Sequence, residues 1–384
     1  MESLLETLRP GSRVYFTGLK GTGVCALAEL LHGSGITASG SDTGEVFYTS
    51  AILRELGIPC HETFDASHIG NNIDMVIYSA AYSEEGNVEL AEARRRGIPL
   101  VKYGDALGAY SAAFDSAGVA GVHGKTTTVA MCGALTRALG LPAQVLAGSA
   151  VADFNGRSTL NLGGKYFIAE TCEYRRHFLA FHPRRIILTA VESDHQDFFP
   201  TYESIRGAFV DYCRLLPPEG ELIYCADDPG ASEVAAIIKN EKQAIRPIPY
   251  GFTATGDYQI TFYKVENERA FFGLAGFPGE FTLRLPGRHE ALNAACALAL
   301  ASILVTKEFG GWNGNLLAAA KTALENFRGA KRRSEIIGEA GGIVFMDDYG
   351  HHPTAIKTTL EGLKQFYPAR RLVVSFMSHT YSRT

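Results

Sequence analysis

The chain has 384 residues, of which 46% are apolar and 20% charged, and a formal net charge of −5. That balance is ordinary for a globular protein and gives no electrostatic case for nucleic acid or an anionic membrane as partner. Seven cysteines, an odd number and dispersed without C-x-x-C spacing, argue against a disulfide framework or a zinc site and fit a reducing compartment. The opening "MESLLETLRPGSR" carries acids and no apolar run of signal-peptide length. The apolar stretch "CALALASILV" is too short to span a membrane, so a cytoplasmic location is expected.

Length predicts two or three domains. In chain order, "RVYFTG" reads as a strand, "GVCALAELLHGSG" as a helix and "ITASGSD" as a strand. Then come a helix in "TSAILRELGI", a strand in "MVIYSAA", a helix in "VELAEARRRGI" and a strand in "PLVKYG". Strand–helix alternation implies right-handed crossovers and a parallel sheet. A second series starts at "DSAGVAGVHGK" and runs through "KYFIAE", "RRIILTAV" and "ELIYCAD". From about residue 250 to 286 the pattern changes to period-two alternation broken by turn residues, which predicts a small antiparallel insert. Helical sequence returns with "HEALNAACALALASILV". A third series, "GGIVFMDDYG", "TAIKTTLEGLKQFY" and strand "RLVVSF", is smaller than a usual domain.

Two glycine-rich turns carry the chemistry. In "GVHGKTTT" a predicted strand ends at Ala120 and a predicted helix begins near Thr126. Backbone N–H groups at such a turn face an anion, Lys125 adds a point charge, and the Thr126 hydroxyl can meet Mg2+. On physical grounds this is a nucleoside triphosphate site. The strict G-x-x-x-x-G-K-[ST] motif would need glycine where Val119 stands. In "GLKGTG", Gly18, Gly21 and Gly23 follow a strand and open a helix, and Asp42 ends the next strand. That arrangement suits a nucleotide in general, NAD included, although the spacing is not G-x-G-x-x-G. Further along, Glu170 and Glu173 follow one apolar strand, and Asp194 and His195 follow another. Hard Mg2+ prefers oxygen, so Glu173 is the natural metal ligand beside Thr126.

"AGVHGKTTT" resembles the phosphate loop of the Mur ligase family, with Gly121 as its first glycine and Val122 in place of the usual threonine. Other motifs in the same order extend the resemblance over nearly the whole chain. It points to the branch that joins L-alanine to UDP-N-acetylmuramate, using ATP and Mg2+, through an acyl phosphate in peptidoglycan precursor synthesis. The implied fold is α/β: a Rossmann-like UDP-sugar-binding domain (1–108), a central P-loop ATPase domain with a small antiparallel β insert (109–328), and an incomplete, truncated Rossmann-like amino-acid-binding domain (329–384).

The resemblance also implies roles. Gly18, Gly21, Gly23, Ser41 and Asp42 would hold the UDP part, with Ser79 and Asn87 in "SAAYSEEGNVEL" on the next substrate-facing loop. Gly121, His123, Gly124, Lys125, Thr126 and Thr127 would cradle the nucleotide phosphates. Glu173 and His195 would bind two Mg2+ ions, although Ala190 stands where the family has asparagine and Cys172 where many members have aspartate. In "PGRHEALNAACAL", His289 and Asn293 would face the nucleotide, with Glu290 replacing a common asparagine. "FRGAKRR" resembles the hinge before the third domain. There Arg332 is the candidate γ-phosphate clamp, since a planar guanidinium grips phosphate bidentately, with Arg333 as its partner.

"FMDDYGHHPTAI" is the most specific signature. It places Asp348 near the nucleotide and Tyr349 and His352 toward the amino acid, His352 being the candidate base. "FMSHTYSRT" adds His379 and Arg383, the latter for the amino-acid carboxylate, with Met377 and Ser378 departing from the family's Gln-Pro. The competing readings are a sister ligase that attaches a recycled peptide to the same sugar, a truncated paralogue that binds without ligating, and an NAD-linked oxidoreductase.

Overall fold

The computed structural model describes residues 8–241 and 244–377. The N-terminal part comprises β1 (Arg13–Thr17), α1 (Thr22–Gly33), β2 (Thr37–Ser41), α2 (Thr49–Leu56), β3 (Cys60–His61), β4 (Met75–Tyr78), α3 (Val88–Arg95), β5 (Leu100–Lys102) and α4 (Tyr103–Ala112). Its five strands form a wholly parallel sheet in the order β3-β2-β1-β4-β5. The order reverses between β1 and β4, so the carboxyl ends of β1, β2 and β4 open onto one crevice. Gly18, Ser41 with Asp42, and Ser79 directly follow or end those three strands. The two-residue strand β3 escapes sequence reading because it is too short to show a period.

The central part runs through β6 (Asp115–Ala120), α5 (Lys125–Ala138), β7 (Ala143–Val151), β8 (Arg157–Asn161), β9 (Tyr166–Glu170), β10 (Arg185–Leu188), α6 (Tyr202–Cys213), β11 (Glu221–Cys225), α7 (Pro229–Glu241) and β12 (Arg246–Tyr250). Its seven-stranded sheet has the order β12-β11-β10-β6-β9-β7-β8, parallel except for β8. Two prolines, Pro247 and Pro249, sit in β12. They are tolerated because that strand is an edge and its missing N–H donors leave no inner ladder unpaired. The predicted insert is present as β13 (Ile260–Glu266), β14 (Arg269–Leu274) and β15 (Glu280–Leu283), paired antiparallel.

Helices α8 (Arg288–Phe309) and α9 (Gly314–Glu325) complete this part. Contrary to the sequence expectation, α8 is by length and composition long enough to cross a membrane. Its alanine and leucine residues from Ala294 to Leu300 are instead buried among α5 and the sheet, as suits a core helix without a polar stripe.

The last part holds β16 (Glu335–Ala340), β17 (Ile343–Asp347) and α10 (Pro353–Phe366). β16 and β17 form an antiparallel hairpin. The strand expected at residues 371–376 is not formed: residues 371–377 carry no strand assignment and are exposed, Val373 at 75%. A strand exists only through a ladder with a neighbour, and no described strand offers one there.

Candidate active site

At the crest of the central sheet, β6, β9 and β10 end side by side, so the residues that follow them converge. The turn after β6 needs glycine at Gly121, whose φ is +136° and where an added Cβ would overlap the Thr189 hydroxyl. Thr189, the residue after β10, donates that hydroxyl to the His123 carbonyl and so ties the loop to the neighbouring strand. Gly124 caps α5, and Thr126 and Thr127 occupy its buried first turn. The loop N–H groups and helix N-terminus thus point into one cleft.

Lys125 folds back over the loop, and its Nζ donates to the Gly121 carbonyl (2.5 Å) and to both Glu173 oxygens (2.9 and 3.1 Å). Glu173 is 1% exposed. Burial alone would raise the Glu173 carboxyl pKa, but Lys125 and His195 outweigh it and hold the group below its ordinary value. For Lys125 burial works downward, and Glu173, Cys172 and Glu170 together push its ammonium above the ordinary value. The pair is therefore ionised at neutral pH. His195, at φ +52°, brings Nε2 to 3.5 Å from Glu173 Oε1. Beside it, the Thr126 hydroxyl donates to Glu170 Oε2 at 2.8 Å, as does the Gly148 N–H. Glu173 with His195, and Glu170 with the Thr126 hydroxyl, form two pairs at the loop, and carboxylate and hydroxyl oxygens are the donors a hard divalent cation takes.

Next to the loop lies a cavity of 270 Å³. Its walls include His123, Gly124, Thr126 and Thr127 from the loop, His289, Glu290 and Asn293 from α8, and Arg333, Ser334, Asp348 and Thr354 from the last part. Asn293 takes the Thr128 hydroxyl (3.3 Å) and donates to Glu290 (3.1 Å). Burial acts to lower the His289 pKa, but adjacent Glu290 (3.3 Å) outweighs it and raises the imidazole above its usual value. Asp348 accepts the Ser334 N–H (2.8 Å) and Gly350 N–H (2.6 Å) and so shapes the wall. His352 is the N-cap of α10, and Tyr349 lies beneath the guanidinium groups of Arg332 and Arg333. Arg332 does not line the cavity: it pairs with Asp347 at 3.3 Å, and Arg333 occupies the wall instead. His379 and Arg383 lie outside the described residues.

The first-part crevice is a separate grouping. Asp42 is buried and accepts the N–H groups of Lys20 (2.6 Å) and Thr43 (2.8 Å), which fixes the "GLKGTG" turn. Ser41 donates to Glu89 at 2.5 Å. Gly18 packs under Ser79 and Tyr82, and Gly21 bonds back to the Gly18 carbonyl. A Cβ on Gly23 would come within 2.6 Å of the Tyr103 ring, so glycine is needed there for close approach.

Several contributors escape the motif reading. Lys20 is buried and donates Nζ to the carbonyls of Thr43 (2.7 Å) and Glu45 (2.9 Å), bracing the loop that Asp42 opens. Its position inside the glycine turn was the available signal. Tyr103 links the two groupings, because burial first and Glu170 second raise its phenol pKa while its ring packs on Gly23. Glu192 lies between His123 and His352, and its only signal was adjacency to Asp194 and His195.

Comparison with known proteins gives three consecutive family matches: the Mur ligase family catalytic domain over residues 13–115, the Mur ligase middle domain over 119–301, and the Mur ligase glutamate ligase domain over 332–381. The chain is 52% identical over 374 residues to the UDP-N-acetylmuramate–L-alanine ligase of Treponema pallidum (strain Nichols), covering 97% of this chain and 78% of that protein. The enzyme of the same name from Desulfitobacterium hafniense (strain Y51) is 37% identical over 376 residues, covering 97% and 79%. Among solved structures, the UDP-N-acetylmuramate–alanine ligase of Thermotoga maritima shares the fold with a TM-score of 0.73 at 24% identity, covering 93% of this chain and 78% of that one. A murein peptide ligase from Psychrobacter arcticus 273-4 gives 0.72 at 25%, covering 94% and 78%.

Proposed function

The chain belongs to the Mur ligase family, and from that membership we infer that it is the ligase that joins L-alanine to the lactyl carboxylate of UDP-N-acetylmuramate in peptidoglycan precursor synthesis. The observation that carries the mechanism is the Lys125–Glu173–His195 grouping, its carboxylate buried, beside a cavity walled by Gly124, Thr126 and Thr127 of the phosphate loop. We assign residues 1–108 to UDP-sugar binding, 109–328 to ATP and 329–384 to the amino acid. Its substrates, a nucleotide sugar and ATP, place the reaction in the cytoplasm.

In this reading a lactyl carboxylate oxygen attacks the γ-phosphorus of ATP, the bond to the bridging oxygen breaks, and ADP leaves with its electron pair. The neutral amine of L-alanine then attacks the acyl carbon, and the tetrahedral intermediate expels inorganic phosphate as the amide forms. Lys125 turns from Glu173 to the phosphoryl oxygens and neutralises charge that grows there. The phosphate-loop N–H groups position the β- and γ-phosphates. His352 accepts the proton that the attacking amine loses. Thr126, Glu173 and His195 would hold Mg2+, which when bound neutralises phosphoryl charge. Asp42 and the turn it fixes, with Gly18, Gly21, Gly23, Ser41 and Ser79, hold the UDP end. Arg332 and Arg333 flank Tyr349, and Arg333 is the nearer to the nucleotide wall.

Mass spectrometry of the product tests the reading. UDP-N-acetylmuramate, ATP, Mg2+ and L-alanine should yield the sugar nucleotide carrying one alanine. Product formed with a tripeptide, and none with L-alanine, would assign the chain to the peptide-recycling branch instead.

A further inference from the structure

We propose that His123, Glu192 and His352 form a binding site for a borderline divalent cation of the Zn2+ type, which fastens the last part of the chain onto the phosphate loop. The three side chains come from the turn after β6, the segment after β10 and the N-cap of α10. Glu192 Oε2 lies 3.8 Å from His123 Nε2 and 3.7 Å from His352 Nδ1, and one ligand atom from each residue lies within 4.8 Å of the others. Zn2+ binds nitrogen and carboxylate oxygen at ~2.0–2.2 Å, which sets tetrahedral ligand atoms about 3.3 Å apart. The trio therefore needs side-chain closure of about an ångström and no backbone movement.

Two independent observations point to an ion rather than to ordinary packing. His123 Nε2 is buried and has no hydrogen-bond partner among the described residues, a costly arrangement for an imidazole nitrogen. His352 Nε2 sits 3.2 Å from the Ser193 carbonyl, a contact that fixes the proton on Nε2 and turns the Nδ1 lone pair toward Glu192. Nδ1 also accepts the Thr354 N–H at 3.3 Å as the cap of α10, a long contact that the ion would displace. The Thr354 hydroxyl donates to Glu192 Oε2 at 2.9 Å and orients the carboxylate. Carbonyl-to-histidine and hydroxyl-to-carboxylate contacts are the outer support that metal ligands use.

Two imidazoles and one carboxylate select Zn2+, Co2+ or Ni2+ over Mg2+ or Ca2+, which take oxygen cages. The site shares no residue with the Lys125–Glu173–His195 grouping but takes His352, and an ion on Nδ1 occupies the lone pair that would accept the amine proton, so the ion-bound chain lacks that base and should form the amide more slowly. His123 and Glu192 belong to the central part and His352 to the last, so an ion held by all three joins the two across the nucleotide cavity.

The test is calorimetric titration of EDTA-treated chain with ZnCl2, without nucleotide, together with the visible absorption of Co2+. One Zn2+ per chain is expected, with millimolar Mg2+ failing to displace it. Disturbing outer contacts alone costs about 10–100-fold in metal affinity, so Glu192→Gln and His123→Asn should each weaken Zn2+ by at least about 100-fold. His195→Ala should leave it unchanged. Bound Zn2+ should also slow proteolysis at residues 328–333 in the unaltered chain and not in His352→Asn. Zn2+ binding that survives both Glu192→Gln and His123→Asn would overturn the site, as would loss in His195→Ala. Unprotected cleavage with Zn2+ bound would overturn the fastening. Two ligand variants, each checked by thermal unfolding without metal, keep the test decisive if one fails to fold.

Discussion

Replacing Lys125 by Met removes the cation that compensates a carboxylate 1% exposed. At 2.9 and 3.1 Å the attraction to Glu173 is on the order of 5 kcal/mol at an effective dielectric near 20. Breaking a buried pair by removing one partner costs about 3–5 kcal/mol, because the remaining charge stays desolvated. His195 stands 3.5 Å from the same carboxylate and shares the load, which favours the low end, ~3 kcal/mol. For a unit of this size that is a fall in Tm of about 6–12 °C. Lys125→Met with Glu173→Gln removes both charges and should recover most of the loss, since replacing a buried pair by neutral groups is often near neutral. Phosphate release should be abolished in the single and the double variant alike. Differential scanning calorimetry with a phosphate-release assay reads both quantities. A double variant no more stable than Lys125→Met, or a single variant that still turns over ATP, would refute the reasoning.

Gly121→Ala forces a side chain into φ +136° against the Thr189 hydroxyl, so it should cost about 1–3 kcal/mol of stability and lose ATP binding in calorimetry, while UDP binding persists. Asp42→Ala should do the reverse: it frees the Lys20 and Thr43 N–H groups, so UDP-sugar affinity should fall on the order of tenfold or more, ~1.4 kcal/mol, with ATP affinity intact. His289 has a folded pKa raised above its ordinary value, so its stabilisation is full below about pH 6.5 and is lost as pH rises through the raised value. Glu290→Gln should move the imidazole titration, followed by NMR, to lower pH; an unmoved titration would remove Glu290 as the cause.

The sequence made the chemistry more legible than the architecture. "GVHGKTTT" and "DDYGHHP" signal function because each concentrates unusual residues at a strand end, where a parallel sheet gathers them. The strand–helix alternation of the first part was readable for the same reason. β7 and β8 were missed because "QVLAGSAV" lacks clear alternation, and β12 because its two prolines argue against any inner strand. Partners distant in sequence stayed hidden: nothing local says that Glu192 stands between His123 and His352, or that Tyr103 packs on Gly23. The Arg332 expectation rested on a motif position, and the geometry instead brings Arg333 to the cavity wall.

Phosphate release from ATP and Mg2+ with UDP-N-acetylmuramate, measured with and without L-alanine, tests the central claim most directly. The account predicts release that requires both the sugar nucleotide and L-alanine, in equal amount to the alanylated product. Release that proceeds without either one, or sugar-nucleotide and ATP binding with no release when all are present, would contradict it.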